Sequence, residues 1–497
     1  MKATSTRLSS TLQPTDCGRN DIINRINNGE LKKDQRLPSE RDIADAFGVS
    51  RITVVGALHG LEEQGIIRKV RGSGSYINCS SVDYEEPGEM FGSFFGSARI
   101  TVRHGILICS PQTFFIVKTL AALFRMENPD IKVEVVMLNP EGYVGSEDPY
   151  LGLIGAGKPP ATGEFFFHSD YSAINALYPL ENLPGFNELT ARLVPGAAFP
   201  TLDMSNEPHV HAVALKTNAR HCIVNVDFLK QAGICNLPEA LTFEHIDEWC
   251  ARLGRYAEKH PGTYGTSMPL PFGWHNVIGY FPYLWGDAAG VDSSARSFVE
   301  VLNGKSCLEG LHALARWHQC SRPAPPEDDD MFLFGKIGLV LSSTRHPWHV
   351  NGMPHRSSPF RYYSIPVSYG RKQSVSLLGN FSVGIFKGGV RNEEELHAAW
   401  RWLKFLFQKR AQYPLSLDFD SPARLDAGSR LAELPDFHKN TMLHTIRNAR
   451  PQFDFKNIRA ALTVFGEELR LCLCGEITPE QCIENTMKRL PDIIRMP

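Results

Sequence analysis

Residues 36–77 read RLPSERDIADAFGVSRITVVGALHGLEEQGIIRKVRGSGSYI, and nearly every position in that run restricts the local fold. Ser39 precedes ERDIADAF, so its hydroxyl can cap a helix, with Asp42 near the reciprocal capping position. Ile43, Ala44 and Phe47 recur at helical spacing and give one buried stripe. Gly48 ends that helix and allows a tight turn. Ser50 then caps a second helix whose Val54, Ala57, Leu58 and Leu61 face inward, and Gly65 closes it. IIRKVR and GSYI alternate around Gly72, Ser73 and Gly74, a hairpin signal. Upstream, DIINRINNGEL supplies a first amphipathic helix through Ile22, Ile23, Ile26 and Leu31.

A helix, a helix-turn-helix and a hairpin in that order make a winged-helix layout. In such modules the second helix of the pair enters the DNA major groove by its N-terminal end. That end is Ser50, Arg51, Ile52 and Thr53. Arg51 can read guanine edges or hold phosphate, and Thr53 can reach phosphate or a thymine methyl. The hairpin adds Arg68, Lys69 and Arg71 beside small residues. The motif over about residues 18–78 resembles the DNA-binding domain of the GntR family of bacterial transcriptional regulators. The resemblance implies operator contacts from Arg41, Ser50, Arg51, Thr53, Arg71, Gly72 and Gly74. One departure stands out: Val55 occupies a position where the family pattern has arginine, and Gly56 follows it within the helix. A mid-helix glycine costs up to about 1 kcal/mol against alanine. A lost arginine–guanine pair removes roughly 1–3 kcal/mol of base discrimination.

The remaining length needs its own account. At roughly 100–200 residues per domain, 497 residues should hold about three compact units. The net charge is −2, so any polyanion site must be local; residues 1–80 hold 12 Lys and Arg against 9 Asp and Glu. The first twenty residues contain no apolar segment of signal-peptide type. No apolar run reaches bilayer length. Eleven cysteines without CxxC pairs argue for reduced thiols in the cytoplasm and against a disulfide framework.

From about residue 99 the pattern changes. RITVRHGILICS reads as a strand, TFFIVKTLAALFRMENPD as an amphipathic helix and IKVEVVML as a strand. GEFFFHSD is a further apolar strand, and HVHAVALKTNARHCIVNVDFLKQAG holds strand alternation followed by a helix. Strands alternating with helices indicate an α/β architecture, and about 400 residues suit two lobes. The order of FLFGKIGLVLSS, YYSIPVS and LLGNFSVGIFKGGVRNEEELHAAWRWLKFL resembles the family 1 extracellular solute-binding proteins of ABC importers. Those are sugar binders of the type II periplasmic fold, like the maltose-binding protein. The expected fold is therefore α/β. Residues 1–80 form the winged helix, 81–98 a linker and 99–497 a two-lobed, type II periplasmic-binding-protein-like effector domain. Phe91, Phe94 and Phe95 are unusual for a free linker.

In a two-lobed binder the ligand lies in the cleft at strand ends. Sugars need flat aromatic faces and fixed hydrogen-bond partners, so aromatic residues beside polar ones in loops are the candidates. These are Asp170 and Tyr171 of HSDYS; Trp274, His275 and Asn276 of FGWHN; Arg345 and Trp348 of SSTRHPWHV; and Asn380 of LLGN. Tyr280 and Trp285 read as packing residues instead. His209 and His211 alternate as a metal pair can, but no third ligand lies nearby in sequence; 325–330 and the Cys472/Cys474 pair read as solvated loop and helix surface. Neither a phosphate-cradling glycine loop nor a GxSxG or HExxH motif is present, so no enzyme and no cofactor are expected.

The expected protein is a one-component cytoplasmic transcriptional regulator. Its partners would be double-stranded operator DNA and a small effector, a sugar or oligosaccharide, with the chain acting as a homodimer and making no membrane contact. The alternatives are a solute binder with a weakened DNA-binding head, or a regulator sensing a non-sugar metabolite.

Overall fold

The computed structural model describes residues 22, 31–47, 54–55, 58–59, 61–62, 65–70, 73–78, 98–107, 111–138, 148, 150–271, 273–274, 276–286, 292–325, 332, 334–343, 362–365, 367–369, 373–374, 377–415, 421–424, 426–427, 445 and 449–495. The chain divides into two compact units, residues 1–93 and 94–497. Phe91, Phe94 and Phe95 lie outside the described residues.

In the first unit, helix α1 (Glu40–Phe47) starts as its sequence predicts. Ser39 Oγ accepts from the Asp42 N–H at 3.2 Å, and Asp42 Oδ2 accepts from the Ser39 N–H at 3.2 Å and its hydroxyl at 2.7 Å. Ile43 and Ala44 are buried with Val54, Leu58 and Leu61 of the next helical segment, and with Ile22 and Leu31 from upstream. Gly65 adopts φ +69°, which lets Ile66 N–H reach back to Leu61 C=O at 3.0 Å and end that segment. Strands β1 (Ile67–Val70) and β2 (Gly74–Ile77) pair antiparallel, from Ile67 opposite Ile77 to Val70 opposite Gly74. The chain before α1 adds a third edge through an Arg36–Tyr76 bridge.

Among the described residues the second unit holds two large sheets with separate cores, beside two short two-stranded ones. Strand β3 (Ile100–Leu107), helix α2 (Pro111–Glu127), β4 (Ile131–Leu138) and β5 (Thr162–Phe165) open the first lobe. After a short helix α3 (Ser169–Ala173) come β6 (Ala212–Ala219), β7 (His221–Asn225), α4 (Val226–Gln231), α5 (Phe243–Lys259) and β8 (Tyr264–Ser267). Then follow α6 (Lys305–Ser321), β9 (Ile337–Ser343), β10 (Tyr362–Ile365), β11 (Leu377–Ile385) and α7 (Glu393–Leu406). The chain ends with β12 (Ser421–Pro422), β13 (Arg450–Pro451), α8 (Ile458–Leu473) and α9 (Pro479–Arg495).

The first sheet runs β12-β6-β11-β5-β3-β4, with β13 pairing alongside β11; the second runs β8-β9-β7-β10. β3 is parallel to β4 and β5, whereas β11 is antiparallel to β5 and β6. Each lobe has its own buried cluster. One gathers α2, α7 and the inner faces of β3, β6 and β11; the other gathers α5, α6, α8 and the second sheet. Helix starts follow local chemistry: Asn225 accepts from the Asp227 and Phe228 N–H groups, and Asn392 caps α7 through Glu395 N–H at 2.9 Å, ahead of an acidic first turn. Among the described residues no helix is long and apolar enough to cross a membrane.

Candidate functional site

The first unit presents a candidate nucleic-acid surface. Arg41 is exposed on α1, and Gly74 opens β2 at φ +119°, a backbone that side-chain-bearing residues rarely adopt. A Cβ at Gly74 would also meet Arg36 Nε at 3.2 Å. The wing cations Arg68 and Lys69 pair with Asp34 at 2.9 Å and Glu62 at 3.6 Å. Pairs this exposed are worth about 0.2–1 kcal/mol, so they leave both side chains able to exchange a carboxylate for a phosphate. Val55 is helical and 37% exposed, so the position where an arginine is absent faces outward. Ser50, Arg51, Thr53, Arg71 and Gly72 lie outside the described residues.

In the second unit the strand β5 leads into Phe166, Phe167, His168 and the start of α3, and here the two lobes meet. Phe166 and Phe167 belong to the second lobe's core, while Tyr171 packs with Tyr150, Phe165 and Phe386 of the first. The segment before α8 comes to the same place. Asp454, fully buried, accepts from His168 N–H at 2.9 Å, Ser169 N–H at 3.1 Å and Ser169 Oγ–H at 2.5 Å. The His168 ring Nδ1 sits 2.8 Å from Asp454 Oδ2. Burial opposes ionisation of Asp454, but the His168 ring, the Ser169 hydroxyl and the backbone donors outweigh it and hold its carboxyl below the usual range.

Asp170 accepts from Asn457 N–H at 2.6 Å, and burial pushes its carboxyl up. Asn457 is in the left-handed region at φ +64°, which points its N–H at that carboxylate where α8 begins. Tyr171 Oη donates to Asp148 Oδ2 at 2.6 Å, and Arg459 Nη1 donates to the same oxygen. Asp148 Oδ1 meanwhile accepts from the Tyr150 and Leu151 N–H groups at 2.8 and 3.0 Å. The Arg459 guanidinium lies over the rings of Phe167 at 6.0 Å and Trp274 at 5.9 Å. Trp274, 4% exposed, packs edge-on against Phe167 at 5.2 Å. The result is a buried aromatic wall, Phe167 and Trp274, beside three carboxylates that accept from groups of the protein itself.

Asp170, Tyr171 and Trp274 are thus brought to one place. Tyr171 contributes its hydroxyl and not a ring face, being fully buried. Asn276 donates to Leu270 C=O at 3.3 Å nearby. Asn380 stands in β11 opposite Thr217. His275, Arg345 and Trp348 lie outside the described residues, as do 326–330 of the acidic loop. Tyr280 and Trp285 are core residues of the second lobe. His209 binds Glu181 at 2.6 Å and His211 binds Thr201 at 3.1 Å; no group of three metal-type ligands occurs among the described residues. Sequence reasoning missed Asp148, Asp454, Asn457 and Arg459. The one local signal for the last three is a charged run, DFKNIR, set inside an apolar C-terminal stretch.

Comparison with known proteins matches these two units separately. Residues 19–77 match the model for bacterial regulatory proteins of the gntR family. Residues 19–77 are a gntR-family helix-turn-helix domain. A similar relative is the HTH-type transcriptional repressor NagR of Bacillus subtilis, 44% identical over 54 residues, which covers 11% of this chain and 22% of that protein. The chain therefore spans about a fifth of the length of that curated relative. The larger unit has the fold of substrate-binding proteins. The substrate-binding protein Lmo0181 of Listeria monocytogenes, in complex with cycloalternan, superposes with a TM-score of 0.62 at 16% identity, over 80% of this chain and 100% of its own. Maltose-bound MalE3 of T. maritima gives 0.60 at 18% identity, over 79% and 99%.

Proposed function

We infer that the chain is a one-component transcriptional regulator in which the gntR-type head binds operator DNA and the substrate-binding-like unit senses a sugar or oligosaccharide. One observation carries this reading: a DNA-reading domain and a solute-binding fold occupy one chain. The aromatic wall of Phe167 and Trp274 beside Asp148 and Asp170 supports a carbohydrate. Helix-turn-helix readers use paired half-sites, which supports a homodimer, and a DNA partner supports a cytoplasmic location. Residues 81–98 would connect the two functions, and lobe rearrangement on effector binding would bias the DNA-competent state. A thermal-shift screen of the full chain, starting with maltose and longer oligosaccharides, tests the sensor. A ligand at a hundredfold excess over its Kd stabilises its target by about 2.7 kcal/mol. A shift with one sugar class supports the reading. Silence across sugars with a shift for another metabolite class replaces the carbohydrate.

A further inference from the structure

The aromatic wall at the lobe junction is not vacant. The guanidinium of Arg459 lies over both Phe167 and Trp274, and its Nη1 donates to Asp148, which Tyr171 also engages. The Arg459 side chain is 19% exposed, so it borders solvent while filling this position. Its Nε finds no partner among the described residues. The guanidinium otherwise meets the Tyr171 hydroxyl, which shares Asp148 with it. Arg459 also spans the junction: its own helix, α8, belongs to the second lobe's core, whereas Tyr171 and the Tyr150 that follows Asp148 belong to the first lobe's cluster.

We propose that Arg459 is an internal occupant of the effector site, holding the Phe167–Trp274 wall in the ligand-free chain and excluded from it when an effector stacks there. This rests on the sensor reading above and deepens it. Cation and ring compete for the same aromatic faces, because a guanidinium and the C–H face of a pyranose both seek the π surface. Effector entry then breaks the Arg459–Asp148 contact, and with it one of the links between the lobes. Ligand binding and lobe release become one event. The apparent affinity of a site open only a fraction of the time is reduced by that fraction. A wall free of Arg459 one-tenth of the time binds about tenfold more weakly than the same wall with Arg459 removed.

The test uses the full chain and two variants, Arg459→Ala and Arg459→Gln, the second retaining the aliphatic stem should the first fail to fold. The first probe is methylguanidinium chloride at low millimolar concentration against sodium chloride of equal ionic strength. It should raise the Tm of the variants by at least 2 °C and leave the wild type unmoved. Adding Asp148→Asn should abolish the effect. Equal responses of wild type and variants overturn the proposal. The second probe is any sugar that shifts either protein: it should bind the variants at least tenfold more tightly than the wild type. Equal or weaker binding to the variants overturns mutual exclusion. Sugars silent on every protein would count against the carbohydrate reading alone, since the methylguanidinium arm still decides what fills the wall.

Discussion

Removing the Asp454 carboxylate should detach the C-terminal segment from the exit of β5. Asp454→Ala leaves the His168 and Ser169 N–H groups without an acceptor in a site that excludes water. A buried donor left unsatisfied costs about 1–3 kcal/mol, so the two together predict a loss of about 4 kcal/mol. Asp454→Asn keeps one acceptor oxygen but turns an amide toward a donor, and should lose roughly half as much. Urea unfolding followed by tryptophan fluorescence at pH 7 measures both. The midpoint should fall with the slope unchanged. The pH dependence follows from the depressed carboxyl. Its contribution is complete above the unfolded carboxylate pKa, near 3.9, and disappears as pH falls through the lower folded value. The gap between wild type and variant should therefore be constant from pH 7 to about 5 and narrow as pH falls below about 4. A loss under about 1 kcal/mol, or a gap that widens in acid, would refute the assignment of Asp454 as the anchor.

Other perturbations probe other parts of the account. Asp170 is raised by burial, so its ionised form destabilises the fold increasingly as pH rises from the unfolded to the folded value; Asp170→Asn should raise Tm at pH 7 and match wild type in acid, measured by scanning calorimetry. His104, fully buried against Thr162 at 2.8 Å, is lowered to about 3 by burial and by Lys216. The unfolded chain alone binds its proton below about pH 6.5, so this residue removes about 2 kcal/mol of stability between pH 7 and 5, which urea midpoints at the two pH values will show as a slope lost in His104→Asn. Lys216 and Glu164 form a buried pair at 3.9 Å. Lys216→Met should cost about 3–5 kcal/mol and the double variant with Glu164→Leu markedly less, by the same unfolding assay. Val55→Arg adds a cation at an exposed helical position of the DNA-reading head. It should strengthen DNA binding about tenfold or more and steepen the salt dependence by about one unit if the contact is to phosphate, read by fluorescence anisotropy.

Local chemistry explains what the sequence discloses. The capping pair Ser39–Asp42 spans three residues, the wing pairs Ile67 with Ile77, and Asn392 caps its own helix, so each is written in a short window. The alternation of β3 and β4 and the stripe of α5 carry the two-lobed fold in the same manner. The site at the junction is different in kind. Arg459 and Asp148 are 311 positions apart, and Asp454 and His168 are 286 apart. Such contacts leave no periodicity, because they depend on how the two lobes' cores meet. Trp274 and Tyr171 were conspicuous as candidates, being bulky rings beside Gly, Asp and Ser, and both stand in buried clusters. The charged groups that position them were not.

The central claim is that one chain couples a sugar to DNA, and the most direct measurement is operator binding with and without the effector. A DNA site selected in vitro with the full chain, titrated by fluorescence anisotropy at fixed salt, gives one Kd alone and one with the stabilising sugar at saturation. The account predicts a sequence-specific complex whose Kd changes at least fivefold, the lower range of allosteric coupling. An identical Kd in both titrations, from a protein that demonstrably binds the sugar, would contradict it.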